Sequence, residues 1–313
     1  MTQATYQPVH YYTWTYLVTF ALLVVGAYVS RVDSSGLFLV FIVPATMTPF
    51  AVSLVMMLRS KDPSLKGDFG RRIVKLRLIV PGMLPILLLA GPLLVVISIL
   101  LSLPLGGSID QFKFSDGFSS AGLMIPGLVM LFLLATFEEL GWRGYAFNSL
   151  QSRTSTFFKA SLIFGVLWSL WHLPLVLVKD TYQYQITQES IWFALNFFIS
   201  VIPLGILISW VWVKNRKSIA AAVIFHFVVN VSQEALSTTQ ATKCIETVVL
   251  IAVTAVIVLL DRRLFFDKVP HPAGRQFSPA GPETRLARPS SDSVRMGHEA
   301  HSSIAGVPTE EGK

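Results

Sequence analysis

Three short patches place acid–base side chains inside apolar stretches. The first is Phe137-Glu138-Glu139-Leu140-Gly141-Trp142-Arg143. Glu139 and Arg143 are four residues apart, so a helix would put them on one face, with Glu N-terminal to Arg in the favourable order. Glu138 is rotated from that face by roughly 100° and is free for other work. The second patch is Trp168-Ser169-Leu170-Trp171-His172-Leu173-Pro174. The third is His226-Phe227-Val228-Val229-Asn230, whose two polar members again share a helix face.

A carboxylate and an imidazole can position a water molecule and deprotonate it. A second imidazole and an amide can donate hydrogen bonds to the oxyanion of a tetrahedral intermediate. Together these groups are the minimal equipment for peptide hydrolysis without a covalent step. Other hydrolytic chemistries find less support. No G-x-S-x-G elbow presents a serine. Cys244, the single cysteine, has no histidine or other general base near it in sequence to activate a thiolate, and it cannot form an internal disulfide. No H-E-x-x-H is present, and His298-Glu299-Ala300-His301 has the wrong spacing for one. Two His and two Glu are a possible zinc set. Against that, an Asn amide is a poor zinc ligand and the Arg143 charge opposes a cation.

Each patch alone has a plainer reading. Glu and Arg commonly mark a membrane interface, and a lone buried His is more often a packing residue than a catalyst. Three patches at similar depth on separate segments are harder to explain by packing.

The elements that must position them are apolar. Hydrophobic residues make up 53% of the 313, charged ones 14%, and mean hydropathy is +0.60. A soluble domain carries about 25% charged residues. The pattern predicts an all-α, polytopic transmembrane bundle of eight spans, near 12–30, 36–58, 78–103, 121–142, 160–178, 191–213, 218–236 and 245–260. Each is long enough for a hydrocarbon core of ~30 Å. The first is expected to be a retained span and not a cleaved signal peptide.

Basic residues fall on alternate links. Arg59, Lys61, Lys66, Arg71, Arg72, Lys75 and Arg77 lie between spans two and three, Arg153 and Lys159 between four and five, and Lys214, Arg216 and Lys217 between six and seven. Arg262 and Arg263 follow span eight, and the other links hold only Arg31, Lys113, Lys179 and Lys243. Eight crossings with both termini cytoplasmic satisfy the positive-inside rule, whereas seven or nine break the alternation. The net charge of +7 is thereby read as topology and lipid attraction, not nucleic-acid binding. All three patches then lie roughly 12–18 Å from the cytoplasmic ends of their spans, where one cavity can gather them. Tyr11, Tyr12, Trp14, Trp192, Trp210 and Trp212 sit near span ends and are expected to form an interfacial belt. Residues 1–266 form the membrane domain. Residues 267–313, rich in Pro, Ser and Gly, are expected to be a disordered cytoplasmic tail.

Taken in order on separate spans, the patches resemble the CAAX-processing and bacteriocin-processing family of intramembrane proteases, which includes the type 2 CAAX prenyl endopeptidases and the lysostaphin-resistance-type proteins. The family's motifs read E-E-x-x-x-R, F-x-x-x-H and H-x-x-x-N. They match Glu138-Glu139-(three)-Arg143, Trp168-(three)-His172 and His226-(three)-Asn230, within roughly residues 120–235. The visible departure is Trp168, where Phe is usual. The resemblance implies that Glu138 and His172 activate the water, that His226 and Asn230 form the oxyanion hole, and that Glu139 and Arg143 hold the motif helix. It implies a membrane-associated substrate, for example a prenylated CAAX protein, with no cofactor expected and zinc left open. It also implies residence in the endoplasmic reticulum for a eukaryotic chain or the plasma membrane for a bacterial one. Two other classes remain at this stage. Intramembrane Glu and His also mark proton-coupled transporters, although no internal repeat is visible. A non-catalytic scaffold of the same fold would use the basic 59–77 link and the tail for binding.

Overall fold

A computed structural model describes residues 6–60 and 63–268. The segment from 269 onward, including His298-Glu299-Ala300-His301 and nearly all of the expected tail, lies outside the described residues. The described chain is helical, with isolated bridges such as Phe114 to Leu236 but no strand. In order the helices are α1 (Pro8–Val32), α2 (Leu39–Arg59), α3 (Pro63–Val74), α4 (Leu84–Ser102), α5 (Ala121–Gly141), α6 (Phe147–Gln151), α7 (Phe157–Trp171), α8 (Tyr182–Glu189), α9 (Ile191–Lys214), α10 (Ile219–Ala235), α11 (Gln240–Leu260) and α12 (Arg262–Phe266).

Among the described residues, seven helical segments are long and apolar enough to cross a bilayer: α1, α2, Pro81–Leu105 around α4, Gly122–Gln151 around α5 and α6, Phe157–Leu177 around α7, α9, and α11. The protein is an integral multi-pass membrane protein. The eighth expected span, α10, is apolar but has only 17 residues. Side-chain caps set several starts. Thr156 Oγ1 accepts from Lys159 N–H at 3.2 Å, Ser218 Oγ from Ala221 N–H at 3.2 Å, and Thr239 Oγ1 from Thr242 N–H at 3.2 Å. The last of these starts α11 five residues before the expected 245. Glu246 is therefore within the second turn, 5% exposed, and accepts a hydrogen bond from Gln233 Nε2 at 3.0 Å.

Of the residues expected in the aromatic belt, Trp14 and Trp192 are 56% and 73% exposed, as a belt requires. The expectation fails for Tyr11, Tyr12, Trp210 and Trp212, which are buried. Tyr12 stacks on Trp142, Tyr11 donates its hydroxyl to the Pro49 carbonyl at 3.0 Å, and Trp212 packs edge-on against Phe147. Trp210 Nε1 donates to Asp261 at 2.9 Å. Proximity to a span end does not tell which way a ring points. These four rings point into the bundle.

Small residues bring the helices that carry the site into backbone contact, as membrane packing favours. A Cβ on Gly141 would lie 2.3 Å from the Pro49 carbonyl carbon, so α5 touches α2 directly. A Cβ on Gly165 would lie 2.6 Å from the Ile202 carbonyl oxygen, and one on Gly205 would lie 2.9 Å from Gly165 Cα. The α7–α9 crossing thus has no room for a methyl group. Gly165→Ala is expected to destabilise the bundle by about 1–3 kcal/mol through overpacking, read as a lower midpoint of denaturant unfolding in detergent. An unchanged midpoint would mean that the two helices can part without cost.

Candidate active site

The first patch lies where α5 changes pitch. Residues Trp142–Ala146 form one π-helical turn before α6 begins. Such turns occur at functional sites because they re-aim side chains and loosen the local backbone ladder. Arg143 Nη1 lies 3.1 Å and 3.0 Å from the two carboxylate oxygens of Glu139, and both residues are fully buried. A buried charge pair needs further polar partners to offset its desolvation. Arg143 Nη2 donates to the Gly205 carbonyl at 3.4 Å and to Ser209 Oγ at 3.3 Å, both on α9. Its guanidinium carbon sits 4.4 Å above the centre of the Phe164 ring. The spacing of the sequence placed Glu139 beside Arg143; Ser209, Gly205 and Phe164 carried no signal that could have identified them.

Glu138 turns to α7. Its Oε2 accepts a hydrogen bond from the Trp168 indole N–H at 2.8 Å, and the residue is 8% exposed. In sequence Trp168 stood out only as a departure from the usual Phe. The structure shows that it adds a donor, which Phe lacks. Trp168 also joins the rest of the site. Its ring centre is 5.9 Å from that of His172 and 5.2 Å, edge-on, from that of His226.

His172 closes the C-terminal end of α7, inside the Phe157–Leu177 membrane segment. Pro174 lacks the N–H to continue the helix, and a tighter 3₁₀ turn, Leu173–Leu177, follows. The His172 ring nitrogen Nδ1 lies 2.9 Å from the Trp168 carbonyl. A carbonyl only accepts, so Nδ1 carries the proton and, in the neutral ring, Nε2 keeps its lone pair. That tautomer can take a proton from water. Glu138 and His226 are both within electrostatic reach of the ring.

His226, on α10, is 3% exposed and places Nδ1 3.0 Å from Glu139 Oε1. Its partner is thus the guanidinium-bound Glu139, an arrangement the sequence did not disclose. If Nδ1 donates there and Nε2 also donates to an oxyanion, the ring must hold both protons. Asn230 is one turn further along α10 and half-buried. Among the described residues it makes no hydrogen bond to the other three groups. The structure therefore gathers Glu138, Glu139, Arg143, Trp168, His172 and His226, and leaves Asn230 at their edge.

The basic link between the first two long spans and α4 is not an open loop. It contains α3, whose Arg72 is 2% exposed. Arg72 Nη1 and Nη2 donate to the carbonyls of Arg143 at 2.8 Å and Gly144 at 3.0 Å, while Nε meets Asp68 at 2.8 Å. These are carbonyls of the π turn, so Arg72 braces the backbone that aims Arg143. Burial lowers the Arg72 pKa, and the Asp68 carboxylate works against that shift. Phe69 closes the contact; a Cβ on Gly144 would lie 2.5 Å from its ring.

Among the described residues no three His, Cys, Asp or Glu side chains are grouped as ligands would be. The Glu139 oxygens face the Arg143 guanidinium and the His226 ring, which leaves a poor seat for a cation.

Residues 120–232, which span all three patches, match the family described as Type II CAAX prenyl endopeptidase Rce1-like. The chain is also 51% identical over 265 residues to a protein of Methanococcus maripaludis named CAAX prenyl protease 2, covering 84% of this chain and 97% of that one.

Proposed function

The chain belongs to the Rce1-like type II CAAX prenyl endopeptidases, a membership that makes it a membrane-embedded protease, and from it we propose that the chain cleaves a prenylated CAAX tail with a water activated at Glu138 and His172. The observation that carries this reading is the convergence of Glu138, His172 and His226 around the Trp168 ring, inside a bundle of membrane helices. With the termini on the cytoplasmic side, as charge alternation argues, the site faces the leaflet where a lipidated C-terminus would be anchored.

In this mechanism the water oxygen attacks the scissile carbonyl carbon, and its proton passes to the Glu138 carboxylate or to His172 Nε2. The carbonyl oxygen becomes an oxyanion, held by Nε2–H of a doubly protonated His226 and by the Asn230 amide. Collapse breaks the C–N bond. The stored proton moves to the leaving nitrogen, releasing a tripeptide amine and a new carboxylate. Glu139, Arg143 and Arg72 hold the frame and do not touch the reacting atoms. No metal is invoked.

The test is tripeptide release from a farnesylated peptide by the purified protein in liposomes. Asn230→Ala is expected to lower kcat by about 10²–10³-fold, the usual cost of one oxyanion donor. An unchanged rate would remove Asn230 from the site. Cleavage of an unprenylated peptide at the same rate would overturn the prenyl reading. Activity lost to a chelator and restored by zinc would overturn the metal-free one.

A further inference from the structure

A cavity lies apart from the carboxylates. Its volume is about 1080 Å³, at the upper end of small-ligand sites. It is a wedge between α1 and α2. At one end the two helices touch: Leu23, Ala27 and Ala45 are buried together, and a Cβ on Gly26 would lie 3.3 Å from Phe41. Towards the other end they splay. The walls there are apolar, with Trp14, Val18, Leu22, Pro44, Val52 and Val55. The mouth is polar, with Gln7, His10, Arg59 and Ser60.

We propose that this cleft binds one anionic glycerophospholipid, with an acyl chain between α1 and α2 and its phosphate at Arg59 and His10. Three observations point to that chemistry. The walls belong to two membrane spans, so whatever fills the cleft must be apolar along its length. From His10 to Leu22 is twelve residues of helix, roughly 18 Å, close to one leaflet of a ~30 Å core. The mouth carries a guanidinium and an imidazole, and no carboxylate appears among the described lining residues. Charge complementarity therefore selects an anionic headgroup over a zwitterionic one. The cleft also reaches the catalytic helix. Tyr145, two residues beyond Arg143 in the π turn, lines it, and its hydroxyl accepts the Gln7 N–H at 3.0 Å.

The experiment uses the full chain in nanodiscs of phosphatidylcholine doped with phosphatidylglycerol, followed by native mass spectrometry of the lipids retained on release. The wild type is expected to keep one phosphatidylglycerol in preference to phosphatidylcholine. Arg59→Gln should reduce that preference roughly fivefold, the equivalent of about 1 kcal/mol for one basic residue near a lipid surface. Ala51→Trp, a change at an exposed residue of the cleft wall, should abolish retention of either lipid while the protein stays folded. Equal retention of the two lipids by the wild type would overturn the proposal, as would undiminished phosphatidylglycerol on Arg59→Gln or full retention on Ala51→Trp. Stoichiometric displacement of the lipid by a farnesylated peptide would also overturn it, by assigning the cleft to the substrate's own chain.

Discussion

Glu138→Gln is expected to lower kcat by about 10²–10⁴-fold, the range in which a positioned general base contributes. The substitution isolates the proton-accepting role. Glutamine has the same shape, and its carbonyl oxygen can still accept the Trp168 indole N–H that reaches Glu138 at 2.8 Å. What it cannot do is take a proton from water. Because a buried carboxylate is replaced by a neutral group, the unfolding midpoint should hold or rise. Single-turnover cleavage and denaturant unfolding in the same detergent separate the two readouts. A rate close to wild type would leave His172 as the sole base. Trp168→Phe probes the same contact from the other side. It keeps an aromatic ring and removes the donor. A hydrogen bond to a charged group is worth about 1.5–3 kcal/mol, so a loss of roughly 10–100-fold is expected. In a Glu138→Gln background the same change should cost far less, since the group it acts on no longer exchanges a proton. Equal losses in both backgrounds would make Trp168 a packing residue only.

Arg143→Met is expected to destabilise the protein by about 3–5 kcal/mol, because it removes the guanidinium that compensates the buried Glu139 carboxylate. Glu139 is fully buried and would keep only His226 Nδ1 as a partner. The loss should appear as a lower denaturant midpoint and poorer recovery of folded protein. The double replacement Glu139→Leu with Arg143→Met removes both charges and should recover most of that stability, since apolar pairs of similar volume often match a buried ion pair. It should not recover activity, because His226 loses the carboxylate that orients it. A double variant as unstable as the single one would mean that Gly205 and Ser209 need the guanidinium for their own satisfaction.

The parts of the site that were legible in the sequence are those governed by helical spacing. Glu139 and Arg143 meet because they are four apart on one continuous segment, and Glu138 points elsewhere for the same reason. What spacing cannot show is the pairing between helices. Nothing in the order of residues says that His226 reaches Glu139 and not Glu138, or that Trp168 supplies a donor. The π turn at Trp142–Ala146 was also invisible, and so was its brace in α3, where Arg72 donates to two of its carbonyls across more than seventy residues of sequence. Charge counting read Arg72 as one more basic residue of a link, since composition does not distinguish a side chain folded inward from one facing headgroups. The same limit explains the buried Tyr11, Tyr12, Trp210 and Trp212. The all-helical membrane class was readable because a bilayer imposes length and hydropathy on every span, whatever the packing.

The placement of Glu139 and Arg143 on one helical segment also bears on biosynthesis. A lone carboxylate or guanidinium entering hydrocarbon is costly, and partners on other helices are not yet in place when a span leaves the ribosome. Here the two opposite charges are i and i+4 neighbours, so they can neutralise each other as soon as that turn of helix forms. The segment can thus be handed to the lipid as a dipole and not as two ions. His226 arrives on α10, more than eighty residues later along the chain. Until that helix docks, the nascent protein holds a neutralised pair but no assembled cleavage machinery, which keeps an unfinished peptidase inert beside its own unfolded chain.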